Sequence, residues 1–125
     1  MHVFLNQELE KIIIDESLVT GISWGGNQFQ DVTIDIDWCG QEDLQHEIDF
    51  INSKTSLFFE FVTDLELNFI FEPGTMGALE ITSFSFESIN KIWAIEFNFK
   101  FYPVGYLKFR CNSFKFIVDK METKD

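Results

Sequence analysis

Three carboxylates alternate with other residues near the middle of the first half of the chain: Asp31, Asp35 and Asp37, with Thr33 in the same phase. On an extended strand, residues two apart share a face and lie about 6.5–7 Å from one another. Carboxylates so arranged repel unless something positive lies over them. Three chemistries fit such a stripe: a solvated outer face, a docking face for Lys and Arg of a partner, or a Ca²⁺ site or glycosidase-like carboxylate pair. The EF-hand pattern is absent, since no Gly or terminal Glu falls where that loop needs them. A chain of 125 residues is also short for a sugar-cleaving cleft. Asp15, Glu16, Glu42, Asp43, Glu47 and Asp49 extend the acidity, and the candidate partner-binding set is these six with the stripe.

Other reactive side chains are sparse. His2 and His46 stand in no metal-ligand spacing, and Cys39 and Cys111 lie far apart, reading as reduced thiols that pack as small apolar residues. A thiol nucleophile needs a histidine base, and only the sequence proximity of His46 to Cys39 suggests one. No nucleophile elbow, phosphate-binding loop or dinucleotide fingerprint is present. The expectation is a protein without enzymatic activity, cofactor or metal. Trp24, Trp38 and Trp93 are candidate sugar-stacking platforms, but all three fall on apolar strand faces and are expected in the core.

The net charge is −12 and it is unevenly placed. Residues 1–80 hold sixteen acidic residues against Lys11 and Lys54, a net of −14; residues 81–125 hold five acids against seven bases, a net of +2. Such a balance argues against binding nucleic acid or an anionic membrane surface and permits a basic partner. The N-terminal stretch lacks a basic region followed by an apolar core, and no apolar run approaches membrane-spanning length, so a cytoplasmic location is expected.

The elements that must position these residues are strands. Trp93, Ile95, Phe97, Phe99 and Phe101 alternate with Ala94, Glu96, Asn98 and Lys100, which buries one face and wets the other. Val32, Ile34, Ile36 and Trp38 do the same opposite the acidic stripe, and with Val19–Trp24 and the turn Gly25-Gly26-Asn27 they predict a hairpin. Leu57, Phe59, Phe61, Leu65, Leu67, Phe69 and Phe71 form one long bent strand or two strands broken near Thr63-Asp64, ended by a turn at Glu72-Pro73-Gly74-Thr75. Two changes of phase predict a bulge near Thr82-Ser83 and a tight turn or bulge at Asn112-Ser113. A short helix is expected within residues 3–14, with Asn6 as a possible cap, and a helical turn over Gln41–His46. Sixteen phenylalanines supply the core. About eight short strands predict a single mainly β domain, an antiparallel two-layer β-sandwich or strongly curved sheet, with a half-closed barrel as the alternative.

The stretch Asp15-Glu16-Ser17-Leu18-Val19 followed by Val32-Thr33-Ile34-Asp35-Ile36-Asp37-Trp38 resembles the start of small β-rich bacterial immunity proteins of toxin–immunity systems, including contact-dependent growth inhibition. Leu57–Leu65, Ala78-Leu79-Glu80-Ile81 and Leu107-Lys108-Phe109-Arg110-Cys111 continue the likeness, which is one of pattern over most of the chain. The resemblance implies a cytoplasmic inhibitor, monomer or weak dimer, that binds the toxin domain of its own system. Many such toxins are basic nucleases, for which an acidic surface is electrostatically suited. A carbohydrate-binding module and a non-enzymatic interaction domain are the alternatives.

Overall fold

A computed structural model describes residues 2–25, 30–38, 40, 53–71, 79–99 and 104–120. Two antiparallel sheets account for most of them. Sheet A is built from β1 (His2–Leu5), β2 (Leu18–Trp24), β3 (Val32–Asp37), β4 (Ser53–Glu60) and β9 (Ser113–Lys120), in the order β1-β9-β4-β3-β2. Sheet B is built from β5 (Thr63–Ile70), β6 (Ile81–Ile89), β7 (Ile92–Phe99) and β8 (Val104–Cys111), in the order β5-β8-β7-β6.

The inner faces are those that the alternation marks out. Val32, Ile34, Ile36 and Trp38 are buried from sheet A, and Ile95, Phe97 and Phe99 from sheet B. Phenylalanine rings join the two. Phe59 of β4 meets Phe97 at 6.0 Å and Phe109 at 4.8 Å, and Phe114 of β9 meets Phe86 at 5.2 Å and Trp93 at 5.3 Å. Most of these contacts are edge-to-face, which places the positive ring edge against the negative face.

The long apolar stretch resolves into two strands in different sheets. The corner lies at Phe61-Val62, two residues before the expected break, and Phe61 takes a left-handed φ of 54° there. That conformation turns Phe61 outward and Val62 inward, so Phe61 is exposed despite sharing its phase with Phe59. The two changes of phase are also found: β6 shifts register between Ile81 and Ser83, and Asn112 alone separates β8 from β9. The turn at residues 72–75, the helical turn at 41–46 and Phe101 lie outside the described residues.

The expected N-terminal helix is corrected. His2–Leu5 is a strand paired with β9, and only the 3-10 segment Asn6–Lys11 follows. The β-branched run Ile12-Ile13-Ile14 resists helix and continues as extended chain, burying Ile12 and Ile14 and exposing Ile13. Nor is Asn6 the cap. Its side chain accepts a hydrogen bond from the Phe114 N–H at 2.8 Å, bonding the chain to β9 just beyond the end of β1.

One corner of the molecule is laced shut. Residues 79–81 leave sheet B and bond to the start of β2: Val19 N–H donates to Leu79 O, Ile81 N–H to Ser17 O and Glu16 N–H to Ile81 O, at 2.7–2.9 Å. No helix among the described residues is long and apolar enough to cross a membrane.

Candidate functional site

The laced corner gathers acid. Leu18 stands opposite Asp37 on one side and opposite Glu80 on the other. Residues directly opposed on antiparallel strands share a face, so Glu80, Leu18 and Asp37 form one row on the outer side of sheet A. Asp35 lies two residues along from Asp37 on that side, opposite Gly21. A Cβ at Gly21 would come within 3.4 Å of the Asp35 Oδ2, so glycine leaves that carboxylate uncovered by a cross-strand neighbour.

Asp15 and Glu16 reach the end of this row through two anchors. Trp38 Nε1 donates to Ile13 O at 2.9 Å, and Leu18 begins the pairing with Asp37. Both acids occupy an exposed turn, where Glu16 has a left-handed φ of 71°. Among the described residues the ion pairs are Lys108–Glu66 and Arg110–Asp64, both on the outer face of sheet B, and none involves Asp15, Glu16, Asp35, Asp37 or Glu80. The acids are spread along a face. No three His, Cys, Asp or Glu side chains among the described residues converge as metal ligands would.

Asp31 does not belong to this face. It precedes β3, is 5 % exposed, and its Oδ1 accepts the Phe61 N–H at 3.2 Å. The expected outward stripe of three is therefore an outward pair, half-buried Asp35 and exposed Asp37, plus one carboxylate that serves the corner between the sheets. Glu80 takes the third place from another part of the chain. Only the pairing of residues 79–81 with β2 puts it there, and no local spacing signals that pairing. Glu42, Asp43, Glu47 and Asp49, with His46 and Cys39, lie outside the described residues.

Trp38 is buried and Trp93 half-buried, but Trp24 is 58 % exposed, which corrects its expected place in the core. Its phase is right, since it stands opposite buried Val32. However, β2 borders its sheet, and at this end the strand lies away from the residues 79–81 that cover its start.

The outer face of sheet B holds a second feature that sequence reading missed. A depression of about 430 Å³ is lined by Asp64, Glu66, Ala94, Lys108 and Arg110. The small side chain of Ala94 sits among longer neighbours and creates the hollow. Lys108 and Glu66 pair at 3.4 Å and largely cancel in charge. Cys111, at the end of β8, is buried and free; burial and the nearby Glu60 carboxylate push its thiol up to about 12. A thiol held neutral is a packing residue.

Comparison with protein-family models, with curated proteins and with solved structures gives no match.

Proposed function

We propose that the chain is a β-sandwich immunity protein that binds and neutralises a basic bacterial toxin domain, of nuclease class, in the cytoplasm. The observation that supports this reading is the face bearing Asp35, Asp37 and Glu80, with Asp15 and Glu16 at its end, none of which forms an ion pair among the described residues. Concentrated like charge on a folded surface is self-repulsive, and a cationic partner relieves that repulsion while gaining association rate from steering. The pattern resemblance supplies the class of partner; the charge supplies the sign.

The test is binding to the protein encoded by the neighbouring gene, measured at about 50 mM and about 500 mM salt. The dissociation constant is expected to rise at least about tenfold with salt. The triple variant Asp35→Lys, Asp37→Lys, Glu80→Lys is expected to bind more weakly, and Glu96→Lys on sheet B to bind as the parent does. No binding, or binding indifferent to salt, overturns the proposal.

The exposure of Trp24 favours a second reading, a carbohydrate-binding module that stacks a sugar ring on that indole. Titration with neutral oligosaccharides, followed by tryptophan fluorescence, tests it. A saturating change lost in Trp24→Ala supports this reading, and its absence removes it.

A further inference from the structure

The strands that border the two sheets differ in how their free edges are defended. β1 is four residues long. β2 is interrupted by a bulge between Val19 and Gly21, and its first half is occupied by residues 79–81. β5 shifts register between Thr63 and Glu66 and carries the charges of Asp64 and Glu66. Shortness, bulges and charge all discourage another chain from pairing with an edge. β6 runs nine residues, has its single irregularity at its start, and shows no charge from Thr82 to Phe86.

Its hairpin decides which backbone groups are open. Asn90 and Lys91 have φ of 52° and 68°, the two-residue type I′ loop that matches strand twist. The flanking pair Ile89 and Ile92 then exchanges both hydrogen bonds. Counting back along the strand, Ser85 and Glu87 also bond to β7, while Phe84, Phe86 and Ser88 direct N–H and C=O away from it. These groups form the free edge among the described residues.

We infer that this edge pairs antiparallel with β6 of a second copy of the chain, about a two-fold axis through Ser85. In that register Phe84 faces Phe86 of the second copy and exchanges both backbone bonds with it, and the reverse pair forms across the axis. Glu87 faces Ser83, so no like charges oppose. The centre of this edge, Thr82 to Phe86, is uncharged on a chain of net charge −12, so two copies can meet there without confronting acid with acid. The rings of Phe84 and Phe86 are half-buried, with core contacts to Phe97, Phe114 and Trp93, and the remaining area covers its equivalent across the axis. The product is a continuous eight-stranded sheet with β6 no longer at an edge. The inference does not depend on the acidic-face reading.

An edge-to-edge contact is small, so association is weak, and mass is measured by sedimentation or light scattering from about 10 µM to about 1 mM. The expected result is a rise from monomer towards twice the monomer mass, favoured by added salt because screening relieves the repulsion between two acidic chains. Ser85→Lys places like charges on the axis and is expected to abolish the rise with an unchanged circular dichroism spectrum. Mixing it with Ser85→Glu is expected to restore the rise. On a Cys39→Ser background, Ser85→Cys is expected to cross-link to itself on mild oxidation, because non-bonded antiparallel partners lie about 4.5 Å apart at Cα, within disulfide reach. Glu87→Cys, which faces Ser83, is not. A monomer mass at every concentration, a dimer unaffected by Ser85→Lys, or Ser85→Cys cross-linking no faster than Glu87→Cys overturns the inference.

Discussion

The carboxylate of Asp31 accepts a hydrogen bond from the N–H of Phe61 at 3.2 Å, at the point where the chain passes from sheet A to sheet B. The adjacent Val62 N–H donates to Gln30 O at 2.7 Å, and the Gln30 side chain returns a bond to Val62 O. Residues 30–31 and 61–62 thus form a hydrogen-bonded clasp that fixes the angle at which β5 departs from β4. Asp31→Ala leaves the Phe61 N–H without its acceptor and is expected to cost about 1–3 kcal/mol, with Asp31→Asn costing less. Urea unfolding checks this, and an unchanged midpoint for Asp31→Ala would show that the clasp holds without the carboxylate.

Phe61 is a bulky residue in the left-handed region and is 42 % exposed. Its side chain is still more than half covered, and that burial offsets a conformation that disfavours residues with a Cβ by about 1–2 kcal/mol. Phe61→Gly relieves the backbone but loses the burial of the ring, so it is expected to leave stability within about 1 kcal/mol of the parent. Phe61→Ala loses the same burial while keeping the Cβ, and is expected to be less stable than Phe61→Gly by about 1 kcal/mol. Differential scanning calorimetry of the pair separates the two.

Phe59 is fully buried and contacts rings from both sheets: Phe97, Phe109 and Phe114. Its removal empties the centre of the core. Phe59→Ala is expected to cost about 3–5 kcal/mol, a large part of the whole stability of a small domain. Phe59→Leu should cost less by filling most of the space. Chemical denaturation of both variants measures the difference, and equal losses would contradict a cavity as the cause.

The Cys111 thiol lies at about 12 in the folded chain against an ordinary value of 9.0, because burial first, and Glu60 second, disfavour the thiolate. The unfolded chain therefore releases this proton at lower pH than the folded one. The stability this group contributes is whole below about pH 9 and falls as pH rises from there towards about 12. In a Cys39→Ser background, Cys111→Ala is expected to flatten the alkaline loss of stability, and alkylation of Cys111 at pH 8 is expected only as fast as the fold opens.

Period-two alternation made much of this fold legible. It located the faces of β3 and β7, and the changes of phase marked the irregularity in β6 and the break at Asn112, because a slipped register would have exposed the buried set. β1 escaped notice, since four residues alternate too briefly to stand out and Val3 and Leu5 face outward. Alternation puts Phe61 in phase with Phe59 because it assumes an unbroken strand, and a single left-handed residue reverses it. At the site, Asp35 and Asp37 were readable from spacing. Asp31 was not, because its burial follows from the Phe61 N–H some thirty residues away. Glu80 joins the row only through pairing between chain segments remote in sequence. The position of Trp24 in the sheet, rather than its phase, decides its exposure.

The order of strands also sets a timetable for assembly. Sheet B uses one continuous stretch, residues 63–111, whose β6–β7 hairpin is local. Sheet A places β9 between β1 and β4, so its first and last strands meet only after residues 113–120 have been synthesised. During translation β4 must wait with one edge unpaired, and β1 without a partner. Such delayed, non-local pairing folds slowly and exposes the nascent chain to aggregation, and here it makes the arrival of β9 the step that closes the fold.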